Sequence, residues 1–164
     1  DNAEMTEELY NFWFNQELKY LLHLSNKKYI PEILLIDTKK RIIEFKWYNK
    51  NLNVMIENNT INKVKDWQKK IKAIKDDLEK DNIFKINMYP HTFFFDDEGN
   101  AYIMDLYGCT DKQTRYLDTK YLKPLIRTNR FDKFIINDQL DTHELYNETI
   151  KTNYAEWPGD FLNA

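Results

Sequence analysis

The chain has 164 residues, 42% of them hydrophobic and 15% aromatic, which suits one domain with a sizeable core and excludes a disordered segment. Charged residues make up 31% and nearly balance at a formal net charge of -3, which speaks against a nucleic-acid partner, since such binders carry a basic face. No apolar run approaches the roughly 18 residues that a membrane helix needs, and no signal peptide is visible, so neither membrane insertion nor secretion is expected. Along the chain, residues 4–25 read as a helix crowded with Tyr10, Phe12, Phe14, Leu18, Leu21, Leu22 and Leu24, with Thr6 able to cap its start. After Pro31, residues 32–37 and 41–48 read as two strands joined by the polar turn Thr38-Lys39-Lys40. Asn49-Lys50-Asn51 is a polar connector, and residues 52–57 form a short helix.

Asn62 is placed to cap a further helix over about 63–80. Its apolar positions Val64, Trp67, Ile71, Ile74 and Leu78 step by three and four, and its charges alternate in sign on the other face. Residues 82–88 are a largely apolar stretch, and Pro90 keeps Tyr89-Pro90-His91 out of a helix interior. Phe93-Phe94-Phe95, the turn Asp96-Asp97-Glu98-Gly99-Asn100 and residues 101–106 make a second hairpin. Residues 107–119 read as a loop, 131–152 as helical pieces between polar turns, and Pro158-Gly159 ends the last of them. This order predicts an α+β domain dominated by helices, with two small hairpins and no boundary beyond a hinge near residue 49.

Cys109 is the single cysteine, so no internal disulfide forms, and the chain reads as cytoplasmic. Asn58-Asn59-Thr60 and Asn147-Glu148-Thr149 match the glycosylation pattern by chance on this reading. The lean toward Ile, Lys and Asn is the mark of an AT-rich genome, as viral genomes often are; a viral protein would work in the host cytoplasm. His23, His91 and His143 are scattered without metal-ligand spacing. Asp96, Asp97 and Glu98 read as a solvated hairpin tip, Phe93-Phe94-Phe95 as core, and Cys109 as an inert thiol.

The stretch from Lys85-Ile86-Asn87 through Tyr89-Pro90-His91-Thr92 to Asp105 resembles the catalytic loop and metal-binding strand of protein kinases and related small-molecule phosphotransferases. In that family a catalytic Asp is followed by Pro and a metal-binding Asn, then by an apolar run, a turn and a second metal-binding Asp. Laid on this pattern without gaps, Pro90 takes the Pro position, Asn87 that of the catalytic Asp, Thr92 that of the metal-binding Asn and Asp105 that of the second metal-binding Asp. Asp105-Leu106-Tyr107-Gly108 stands where Asp-Phe-Gly is usual, with one extra residue. Upstream, the helix bearing Glu17 resembles the regulatory helix of the small lobe, and the hairpin 32–48 resembles the two strands that follow it. Lys46-Trp47-Tyr48 resembles the hinge that touches adenine, and the helix 63–80 the long helix before the catalytic loop.

The resemblance spans about residues 10–110. It implies a helix-rich kinase-like large lobe over 49–164 and a vestigial small lobe over 1–48. It implies ATP with Mg²⁺ or Mn²⁺ as cofactors, with Lys46, Tyr48 and Glu17 on the nucleotide side and Asp105 and Thr92 on the metal side.

The departures point away from efficient catalysis. No glycine precedes Gly99, so the glycine-rich phosphate loop has no candidate, and no strand carries the phosphate-binding Lys that Glu17 would pair with. Asn87 accepts a hydrogen bond from a hydroxyl but cannot take its proton, and a general base is typically worth about 10²–10⁴-fold. Each residue also has a plainer reading. Asp105 caps a turn, Asn87 and Thr92 bond their own backbone, and Glu17 faces solvent. Three functions therefore compete: a degenerate kinase-like binding or regulatory module, an atypical metal-dependent phosphotransferase, and a structural or assembly protein reusing the fold. The first and third call for a protein partner, the second for a phosphate acceptor.

Overall fold

The computed structural model describes residues 6–85 and 90–111. The expectations for Asn87, and for everything after residue 111, lie outside the described residues. Within them the fold is α+β. The first helix, α1 (Glu7–Leu24), starts at Thr6, whose hydroxyl accepts the Leu9 N–H at 3.2 Å. It buries Leu9, Trp13, Phe14, Tyr20, Leu21 and Leu24.

The first hairpin pairs β1 (Ile33–Asp37) with β2 (Ile42–Phe45), antiparallel, with a bulge between Ile33 and Leu35. Its turn takes four residues where three are expected, because Arg41 adopts a left-handed φ of 54°. Asp37 caps the turn through the N–H groups of Lys39 and Lys40, both at 3.0 Å. The Arg41 guanidinium then ties the hairpin to α1, bonding Glu7 at 2.5 Å and Asn11 at 2.8 Å. The second strand is shorter than expected. Trp47 and Tyr48 leave the ladder and pack on the next sheet, Trp47 edge-on to Phe94 at 5.7 Å and Tyr48 stacked on Tyr102 at 4.1 Å.

The supposed connector is itself structured. Lys50–Asn51 forms β3, and the Asn51 side chain caps α2 (Leu52–Glu57) by accepting the Val54 N–H at 3.3 Å. The expected helix over 63–80 starts late. A 3-10 turn at Ile61–Lys63 comes first, and α3 covers Trp67–Lys80. Val64 is buried but lies outside the helix, because Asp66 has a left-handed φ of 54° and breaks the run. The short β4 is Phe84–Lys85, and Pro90–Thr92 forms a second 3-10 turn. β5 (Phe93–Phe95) and β6 (Ala101–Ile103) make the second hairpin, and β7 (Cys109–Thr110) lies within the expected loop.

Three small sheets result: β1-β2, β3-β5-β6 and β4-β7. Sheets of this size do not hold themselves, so burial under the helices must. One buried cluster runs from Tyr20, Leu21 and Leu24 of α1, through Leu52 and Ile56 of α2 and Ile71, Ile74 and Leu78 of α3, to Phe93, Phe95 and Ile103. The core is thus continuous across the expected hinge near residue 49. Tyr29 pins the α1–β1 connection to it: its hydroxyl donates to Asp77 at 2.5 Å, and its carbonyl accepts the Ile103 N–H at 3.0 Å. No helix among the described residues is long and apolar enough to cross a membrane.

The fully buried apolar face of α3 sets the stability of this core. Ile71→Ala leaves a cavity under β5 and is expected to cost about 2–5 kcal/mol in urea unfolding, whereas Lys69→Ala on the exposed face stays within about 0.5 kcal/mol.

Candidate functional site

The C-terminal part of α1 runs beside residues 105–111. Trp13, Glu17, Tyr20, Leu21 and Leu24 step by three and four along one helix face, and only Glu17 interrupts that stripe with a charge. Glu17 is therefore not the solvent-facing residue expected: it is half-buried. Its carboxyl lies beside the Asp105 carboxyl and the Leu106 N–H. Burial, then the charge and hydrogen bond of Asp105, push the Glu17 carboxyl from its ordinary 4.5 up to about 8, against the pull of the Lys85 ammonium. Glu17 therefore keeps its proton at neutral pH.

Asp105 also caps its own turn, accepting the Tyr107 N–H at 2.7 Å. Lys85 reaches the site from β4, which pairs with β7 so that Lys85 lies opposite Cys109. Its ammonium donates to the Tyr107 carbonyl. The positive charge beside Glu17 thus comes from the first residue of the Lys85-Ile86-Asn87 triplet. The Tyr107 ring lies 6.2 Å from that of Trp13. Cys109 is fully buried, and burial above all raises its thiol to about 12, which makes it inert as expected of a sealed cysteine.

The remaining expected residues lie around this cluster in different ways. Thr92 is 1% exposed, and its carbonyl accepts the Met104 N–H at 2.8 Å, next to Asp105 in the chain. Lys46 uses its backbone N–H on the Glu32 carbonyl at 2.8 Å, so that donor closes the hairpin and is not offered to a ring. Its ammonium stands 5.9 Å above the Tyr48 ring. Tyr48 is held by the stack on Tyr102, whose hydroxyl is 3.3 Å from Asp96. The hairpin tip is locally bonded: Asp96 accepts the N–H groups of Glu98 at 3.0 Å and Asn100 at 2.8 Å.

Of the residues expected around a divalent cation, Asp105 and Thr92 lie within the described part of the chain. A hydrated Mg²⁺ takes about six oxygens in near-octahedral array. The Asp105 carboxyl is committed to Tyr107 and Glu17, and Thr92 presents almost no surface. Among the described residues no three His, Cys, Asp or Glu side chains group to hold a metal ion.

Sequence reasoning passed over Lys85 and Tyr107 as members of this cluster. Neither has a local signal, since both arrive through the β4–β7 pairing. Glu17 had one: an acid standing within the buried stripe of a helix.

The raised Glu17 carboxyl makes the fold pH-sensitive in a definite direction. The unfolded chain releases this proton near 4.5 and the folded chain near 8. Stability from Glu17 is therefore complete below about 4.5 and drains away as pH rises to about 8, by up to about 1.4 kcal/mol per unit. Glu17→Gln keeps a hydrogen-bonding group that never ionises. Urea unfolding at pH 5, 6.5 and 8 should show the variant matching the parent at the lowest pH and exceeding it by at least about 1 kcal/mol at the highest.

No family model matches this sequence, and no curated protein or solved structure matches it.

Proposed function

We propose that the chain is a binding or regulatory module on a kinase-like frame, without efficient phosphoryl transfer. The observation that carries this reading is the Glu17–Asp105 carboxyl pair. The resemblance gives Glu17 to the regulatory helix and Asp105 to the metal side, and Glu17 of α1 lies beside Asp105, just past β6. Glu17 keeps its proton there, and the Lys85 ammonium supplies a positive charge beside the pair. Phosphoryl transfer consists largely of positioning and charge neutralisation. Here the acid that would serve it is engaged on its own loop and on α1. The hinge-like segment uses its Lys46 N–H internally. What remains is recognition. Leu34 of β1 is exposed at 60% and Trp47, past the end of β2, at 72%, apolar surface suited to a protein partner rather than a phosphate acceptor.

The atypical phosphotransferase is the second reading, favoured by the same convergence of Glu17, Lys85 and Asp105. A thermal-shift titration separates the two, using ATP with and without Mg²⁺ or Mn²⁺ on the parent and on Asp105→Ala. Ligand at a hundredfold over Kd stabilises by about 2.7 kcal/mol, several degrees in a domain of this size. The binding-module reading expects no metal-dependent rise and no difference between the two proteins. A metal-dependent rise lost in Asp105→Ala, together with phosphate transfer from ATP, would sink it.

A further inference from the structure

We propose that the loop Asp105–Gly108 is a strap closed over Cys109, and that Lys85 and Glu17 are the positioning residues that keep it shut. The strap leaves the second hairpin after Met104, whose N–H is held by the Thr92 carbonyl at 2.8 Å. It reverses at Gly108, where φ is +84°, and passes into β7. Inside the strap, Asp105 takes the Tyr107 N–H, and the Leu106 carbonyl takes the Cys109 N–H at 3.1 Å. These local bonds shape the loop but do not fasten it to anything else.

The fastening comes from two sides. From β4, the Lys85 ammonium holds the Tyr107 carbonyl. From α1, Glu17 holds the Asp105 carboxyl and the Leu106 N–H, and Trp13 lies against Tyr107. Beneath the strap, Leu106 is 2% exposed and Cys109 is sealed from solvent. The ladder alongside is weak, since β4 and β7 contribute only Phe84–Lys85 and Cys109–Thr110. A ladder of two residue pairs cannot hold a loop by itself. Leu106 and Cys109 belong to the same buried cluster as α3 and β5, so opening withdraws the strap's one apolar side chain from the edge of that core. With so few contacts fastening the strap, its opening is a local event, and it brings the Cys109 thiol to solvent.

Cys109 is the only cysteine of the chain, so its alkylation by iodoacetamide reads this opening at one position. Lys85→Met should be labelled about tenfold faster than the parent or more, as loss of a charge-assisted hydrogen bond requires, while Lys85→Arg restores the slow rate. Glu17→Ala should be fast and Glu17→Gln slow. The rate in Lys85→Met should stay nearly flat in low urea, as a local opening does, rather than follow the steep dependence of global unfolding. Labelling of Lys85→Met at the parental rate, or only with global unfolding, overturns the strap. Should Lys85→Met fail to fold, hydrogen exchange in the parent decides. The Leu106, Tyr107 and Gly108 amides must exchange faster than those of α3, and equal protection overturns the proposal. Both measurements are made without nucleotide or metal, so their outcome is independent of the ATP titration.

Discussion

Phe93, Phe94 and Phe95 place aromatic rings on both faces of one three-residue strand, and all three are buried. A strand that is apolar on both faces has to be covered on both. On one side, α2 and the stripe Trp67, Ile71, Ile74 and Leu78 of α3 share a cluster with Phe93 and Phe95. On the other, Phe94 receives the edge of Trp47, which draws the segment after β2 off its ladder. The neighbouring Tyr48–Tyr102 stack continues that cover. The positions of the first hairpin, of β3 and of α3 all follow from enclosing this strand.

Helix α1 meets the same core with an acid in its buried stripe, and that choice shapes the chemistry of the other end of the molecule. A lone carboxylate taken from water would cost several kcal/mol, and a second one beside it more. The fold resolves this with a retained proton, the Leu106 N–H and the nearby Lys85 ammonium. Asp105 caps its turn while facing Glu17, whose retained proton removes one of the two charges. The arrangement is polar, satisfied and inward-facing.

Much of the local structure was legible in the chain. The periodic apolar positions of α3, the Thr6 cap of α1, and the turns Thr38-Lys39-Lys40 and Asp96–Asn100 each carry their cause within a few residues. The start of α3 was misjudged because Val64 fits the apolar period without being helical, and period reports burial rather than backbone conformation. Strands β3, β4 and β7 have two residues each and no pattern to read. Their existence depends on partners 24 to 45 positions away, as in Lys85↔Cys109 and Lys50↔Phe95.

The sequence by itself determined which segments form helices and hairpins, and that the aromatic run at Phe93–Phe95 belongs inside, because turn chemistry, capping and hydrophobic period act over short distances. It also placed Asp105 at the end of an apolar strand, where it caps a turn. Only the tertiary structure decided that Glu17 faces Asp105 and that Lys85 reaches Tyr107. These meetings depend on how α1 and β4 pack around the buried strand, and contacts between distant segments are set by the sum of the packing rather than by any residue's own neighbours in the chain.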